Sequence, residues 1–329
     1  MTVTHRVDAS RPEAAVIETA ASALRGGELV AFATETVYGL GADATQADAV
    51  AKIFVAKGRP QTNPLIAHVS SVDMARQWAE SWSDAAEALA SAFWPGPLTL
   101  IVPRPSAIAA SVSAGLNTVG LRVPDHAVAR ALIEAVERPI AAPSANRSEH
   151  VSPTTAQHVV DDLAGRIAMV LDSGPTGVGI ESTVVDVSGA MPRVLRRGPI
   201  DVASLQRVLG EVRVVERHSD GSTAEASPGQ SIRHYAPDVP CVRVLDGMAP
   251  AEPGDVVLAV GQPLPEGSIG HALSDPETAA RELYAVLRRL EQGGARRIVV
   301  LMPPETDPWA ALRDRLTRAT TALLPKNSS

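Results

Sequence analysis

KGRPQTNPLIAHV, residues 57–69, runs from the end of a helix pattern through a polar turn into a short apolar strand. Ahead of it, residues 47–56 place Val50, Ile53 and Phe54 on one face at helical spacing, and Gly58 and Pro60 stop the helix. Beyond the turn, Leu65, Ala67 and Val69 share one strand phase and His68 takes the other. Helix, turn and strand packed into so short a stretch predict a mixed α/β chain.

The same alternation continues outward. Residues 12–24 form a first helix pattern stopped by Gly26-Gly27, and residues 29–33 a strand that ends abruptly in the polar turn Thr34-Glu35-Thr36, where a site can sit. Further strands are read at 98–102, 118–123, 168–171 and 183–187, with short helices between them. Residues 216–240 are rich in Gly, Ser and Pro, which marks a linker and predicts two domains, 1–215 and 241–329. The second domain reads as a small βαβα unit: strand 256–260, helix 276–292, strand 298–302 and helix 309–317.

Composition removes several function classes. The 329 residues suffice for two domains, and a hydrophobic share of 45% against 20% charged is that of a globular chain. A formal charge of −7 and only 3% aromatic residues argue against tight binding to a nucleic-acid backbone or to stacked bases. Cys241 is the single cysteine, so there is no intrachain disulfide, thiolate zinc cluster or CxxC pair, and the expected compartment is the cytoplasm. No apolar run approaches the roughly 20 residues that span a bilayer. HExxH, GxSxG and Walker patterns are absent, so zinc hydrolase, serine hydrolase and P-loop chemistry are not expected.

Several stretches could carry chemistry. Lys57, Arg59 and the Asn63 amide flank a helix end and can hold phosphate oxygens, a compact charge beside a bidentate fork. Cations there also complement the helix dipole, and this stretch alone leaves both readings open. Both side chains are expected at an exposed helix end, so that their removal would impair turnover and spare folding. In NTVGLRVP, residues 117–124, Thr118, Gly120 and Arg122 share one strand face, either a site wall or a solvated edge. Ser144 and Asn146 follow the apolar strand 140–142, where ligands of α/β sheets often bind, although Ser-Ala-Asn is also an ordinary turn. GPTGVGIE, residues 174–181, feeds a strand rather than a helix, and either wraps a nucleotide or serves as a flexible crossover.

Taken together, KGRPQTNPLIAHV, NTVGLRVP, APSANRSEHVSPT (142–154), STVVD (182–186), LRRGP (195–199) and SPGQSIRHYAP (227–237) resemble the threonylcarbamoyl-AMP synthase family in its long, two-domain form. The resemblance implies a YrdC-like N-terminal domain, a twisted mixed sheet with flanking helices, and a smaller Rossmann-like C-terminal domain without a dinucleotide site. It implies condensation of threonine, bicarbonate or carbon dioxide, and ATP into threonylcarbamoyl-adenylate and pyrophosphate, for threonylcarbamoyladenosine in tRNA. Magnesium carried by the ATP phosphates is the implied cofactor, and a tRNA threonylcarbamoyl transferase the implied recipient.

By the same resemblance, Thr36, His68, Arg122, Ala142 and Ser182 would hold threonine. Arg59, Asn63, Thr118, Ser144, Ser152, Arg196 and Tyr235 would hold ATP, and Lys57, Arg59, Ser144 and Asn146 would form a catalytic tetrad. The segment 216–240 would fold over the site as a lid, with Ile232 where the family often has an aromatic. Two rivals stand beside this reading: a double-stranded RNA-binding YrdC-like module without catalysis, and a carbamoyl transferase, whose usual cysteine-rich zinc fingers this chain lacks.

Overall fold

The structure, a computed structural model, describes residues 1–215, 235–244 and 252–323. They divide into two compact units, one holding 1–148 and 152–215, the other 149–151 with 235–244 and 252–323. Of the expected linker, residues 216–234, Ile232 included, lie outside the described residues, and Tyr235 onward belongs with the second unit.

The first unit is built on strands β1 (Val3–Arg6), β2 (Val30–Ala33), β3 (Tyr38–Asp43), β4 (Ile66–His68), β5 (Leu98–Pro103), β6 (Thr118–Arg122), β7 (Ile140–Ala141), β8 (Met169–Asp172), β9 (Thr183–Asp186), β10 (Arg193–Arg196) and β11 (Arg213–Val214). They form one sheet in the order β1-β8-β2-β3-β7-β4-β6-β5-β9-β10-β11, with parallel and antiparallel pairs mixed. Its helices are α1 (Ala14–Arg25), α2 (Ala47–Lys57), α3 (Val72–Gln77), α4 (Asp84–Phe93), α5 (Ala127–Val136), α6 (Ala156–Leu163) and α7 (Val202–Leu209). The expected mixed α/β architecture is therefore present.

Period-two alternation decides which helices cover which face. In β2, Ala31 and Ala33 join the core under α2, α4 and α6, whereas Val30 and Phe32 join the one under α1 and α5. In β6, Val119 and Leu121 belong to the first core. Gly120 and Arg122 therefore face the opposite side, where β5, β9 and β10 contribute only the small cluster of Ile101, Val184 and Leu195. Helix cover on this side rests on the other end of the sheet, so polar side chains can line the face that β4 and β6 present.

Two sequence readings need correction. β3, with the sequence YGLGAD, was not expected, because two glycines break any apolar alternation, yet all six residues are buried. The second unit is also larger than a βαβα unit. Its strands β12 (Cys241–Arg243), β13 (Asp255–Val260), β14 (Gly270–Leu273), β15 (Arg297–Leu301) and β16 (Thr321–Ala322) make a parallel sheet in the order β14-β13-β15-β12-β16, joined by α8 (Pro276–Gln292) and α9 (Ala310–Ala319). β12 and β16 are too short to show a period.

Candidate active site

The last turn of α2 sets the first cluster. Gly58 takes the left-handed conformation at φ 64°, and Arg59 N–H returns to Phe54 O at 3.0 Å, so the chain reverses with Lys57 and Arg59 turned inward. Neither side chain is at an exposed helix end, contrary to expectation: Lys57 is 3% exposed and Arg59 7%. The reason is a partner the local sequence does not contain, the loop after β7. Lys57 Nζ donates to Ser144 O at 2.5 Å, Asn146 O at 2.5 Å and Asn146 Oδ1 at 3.1 Å. These three acceptors match the three hydrogens of an ammonium group. Burial pulls the Lys57 pKa well down, the Arg59 charge adds to that, and Asp162 opposes it. The three hydrogen bonds hold the protonated form.

Ser144 Oγ also donates to Asn146 Oδ1, at 2.6 Å, so that the Asn146 side-chain oxygen accepts from both Lys57 and Ser144. Arg59 donates through Nε to Asn63 O at 3.2 Å, and through its terminal nitrogen to Asn63 Oδ1 and to Pro64 O at 2.9 Å. Lys57, Ser144 and Asn146 are thus one hydrogen-bonded cluster, and Arg59 is bonded into the turn 63–64 that follows it.

Strand register sets the second cluster. β4 and β6 run parallel with His68 opposite Arg122 and Ile66 opposite Gly120. His68, Arg122, Gly120 and Thr118 therefore share one face, with Thr118 and Arg122 about 13 Å apart along the strand. Ala142 closes onto β4 through its N–H to Ile66 O at 2.8 Å. Arg122 Nε donates to Gly96 O at 3.3 Å, and its terminal nitrogen lies 2.7 Å from Glu35 Oε2. Thr36, fully buried, meets Thr34 Oγ1 at 2.8 Å.

On the neighbouring strands, Ser182 Oγ lies 2.8 Å from Thr99 Oγ1 and accepts from Arg196 at 3.0 Å, while Ser152 Oγ donates to Glu181 Oε1 at 2.7 Å. The loop 174–181 is no free crossover, since Val178 N–H and Gly179 N–H donate to Glu35 O and Thr36 O and brace the turn before β3. Tyr235 belongs to the second unit, where its ring stacks on Tyr284 at 5.7 Å and lies under Arg315. Glu35, Thr99 and Glu181 were not singled out from sequence, because each is defined by a partner distant along the chain.

Burial, and next the charge of Arg122, lower the His68 pKa from its ordinary value to about 3. The ring is neutral in the folded protein and titrates near about 6.5 when unfolded. Its contribution to stability is full above about 6.5 and is lost as pH falls toward 3. His68→Gln is expected to flatten the decline in melting temperature on acidification, measured by thermal denaturation across that window. An unchanged slope would show that His68 does not drive it.

The first unit thus carries, on a mixed α/β sheet, a buried face with guanidinium groups, hydroxyls and a neutral imidazole, and a caged ammonium, groups able to hold anions and hydroxyls. Comparison with known proteins makes that description particular. The Sua5/YciO/YrdC family model, described as "Telomere recombination", matches residues 22–198, and the model "Threonylcarbamoyl-AMP synthase, C-terminal domain" matches 200–321. Threonylcarbamoyl-AMP synthases of Bacillus subtilis and Pyrococcus abyssi are each 40% identical, over 96% and 92% of this chain and 95% and 93% of their own. The crystal structure of P. abyssi Sua5 complexed with L-threonine superposes with a TM-score of 0.87 at 37% identity, covering 98% of this chain and 100% of that one. The chain belongs to the threonylcarbamoyl-AMP synthase family.

Proposed function

We propose that this chain condenses L-threonine, bicarbonate or carbon dioxide, and ATP into threonylcarbamoyl-adenylate and pyrophosphate. The observation that carries this reading is the shared face of β4 and β6, with His68 beside Arg122 and Thr118 two pleats away. An amino acid held at Arg122 presents its amine toward a nucleotide held at Thr118 and the Lys57 cluster. The bound threonine of the P. abyssi structure supports the same substrate here.

In this reading Arg122 takes the threonine carboxylate, and Thr36, neutral His68 and Ser182 take its hydroxyl and amine hydrogens, with the Ala142 backbone alongside. Arg59, Asn63, Thr118, Ser144, Ser152, Arg196 and Tyr235 hold ATP. The nucleophile and the leaving group belong to the substrates. The protein therefore contributes alignment and charge neutralisation, which favour attack of the carbamate oxygen on the α-phosphorus. Lys57 braces Ser144 and Asn146, and so fixes the donors that meet the phosphates.

Magnesium would enter on the ATP phosphates and share that neutralisation. The donor set fits a metal brought by the nucleotide: the Lys57 and Arg122 clusters offer mainly cations, hydroxyls and amides. Among the described residues the one carboxylate and histidine group spaced to hold a metal is His150, Asp238 and Glu291 in the second unit. The adenylate would pass to a tRNA threonylcarbamoyl transferase in the cytoplasm. Among the described residues no helix is long and apolar enough to cross a membrane.

The test is pyrophosphate release from ATP, with serine in place of threonine as control. Release is expected to require threonine, bicarbonate and magnesium, and to stop with EDTA. Intact ATP under these conditions, together with salt-dependent binding of double-stranded RNA, would replace the synthase by the RNA-binding reading.

A further inference from the structure

Glu35 sits in the turn before β3 with its carboxylate 12% exposed, and Oε2 lies 2.7 Å from a terminal nitrogen of Arg122. Neither carboxylate oxygen receives a well-directed hydrogen bond. The turn is not loose, because Val178 N–H donates to Glu35 O at 2.8 Å and Gly179 N–H to Thr36 O at 3.0 Å. A buried carboxylate oxygen without a donor is costly, and it asks for a ligand that brings one. Two further buried atoms share that condition, His68 Nδ1 on the strand beside Arg122 and His126 Nδ1, whose ring is within electrostatic reach of Glu35.

An α-amino acid is a zwitterion, and one guanidinium satisfies half of it. The Arg122–Glu35 pair is its charge complement, a cation for the carboxylate and an anion for the ammonium. The chemistry adds a second demand, since an ammonium group has no lone pair and cannot attack carbon dioxide.

We propose that Glu35 binds the α-ammonium of threonine through Oε1 while Arg122 holds the α-carboxylate, and that Glu35 takes the proton the amine must lose. This assignment rests on the threonine reading above and deepens it. One proton passes from nitrogen to Oε1, leaving the N–H electron pair on nitrogen as a lone pair. That pair forms the N–C bond to carbon dioxide as one C=O π pair moves onto oxygen. The nitrogen then releases its excess proton to solvent, giving the carbamate, and the Glu35 carboxyl returns its proton to solvent before the next turnover.

The test titrates L-threonine and 2,3-dihydroxybutanoate, which has a hydroxyl in place of the ammonium, into the full chain and its E35Q and E35D variants. The wild type is expected to prefer threonine about tenfold or more, the scale of a buried charged hydrogen bond. E35Q is expected to lose that preference by weakening threonine alone, with ATP affinity and melting temperature retained, and E35D to keep it. The kcat/KM of E35Q should climb with pH as solvent deprotonates the amine.

Threonine bound by E35Q as tightly as by the wild type, or more tightly, would overturn the assignment, since Glu35 would then only occupy Arg122 until substrate arrives. Equal weakening of both ligands, or unfolding of E35Q with loss of the preference in folded E35D, would overturn it too. A wild type that shows the preference but makes no adenylate leaves Glu35 in place and removes the synthase reading.

Discussion

Lys57→Met is expected to abolish turnover and to lower stability by about 3 kcal/mol, the scale set by buried acceptors losing a charged donor. Methionine keeps the unbranched chain and removes the three hydrogen bonds to Ser144 and Asn146. The loop after β7 would lose the group that fixes it, and with it the Ser144 hydroxyl and Asn146 amide assigned to the phosphates. Denaturant unfolding and the pyrophosphate assay measure the two effects together. Lost activity with unchanged stability would mean that the ammonium is not caged as the structure has it.

Gly198→Ala is expected to cost about 3 kcal/mol and to weaken threonine binding. A β-carbon on Gly198 would fall 2.3 Å from Thr183 N and 2.6 Å from Ser182 C. Both obstacles are backbone, so no side chain can swing aside. The strand that would have to move presents Ser182, and Thr183 N–H is already bonded to Pro97 O. Gly177→Ala is the control, because none of the described residues lies within 4 Å of its β-carbon position. Unfolding curves and threonine titrations should separate the two variants, and similar behaviour would remove the close approach of LRRGP to β9 as a determinant of the site.

Much of this site was legible because its residues come in local blocks. The phase of Thr118, Gly120 and Arg122 followed from alternation alone, and the structure keeps it by pairing β6 with β4. The stop at Gly58 likewise followed from local chemistry. What failed was whatever depends on a partner far along the chain. The sequence around Lys57 shows a cation at a helix end, and nothing nearby reveals that residues after β7 will cover it. Glu35 lies in a turn read as a possible site, but its meaning comes from Arg122 on another strand. β3 escaped because glycine carries no hydrophobic signal, and its burial is tertiary: a β-carbon on Gly41 would meet Phe32 and Ile140 below 3 Å. The stacking of Tyr235 on Tyr284 was not legible for the same reason, since that partner lies far along the chain.

The claim that one sheet face holds threonine and ATP together, and joins them through a carbamate, is tested most directly by tracing carbon. The chain would be incubated with ATP, L-threonine, magnesium and 13C-bicarbonate, and the adenylate product examined by mass spectrometry and fragmentation. The account predicts one labelled carbon, in a carbamoyl group between the threonine nitrogen and the α-phosphate, in wild type and not in Arg122→Ala. An adenylate without the label, or a labelled product made equally well by Arg122→Ala, would contradict it.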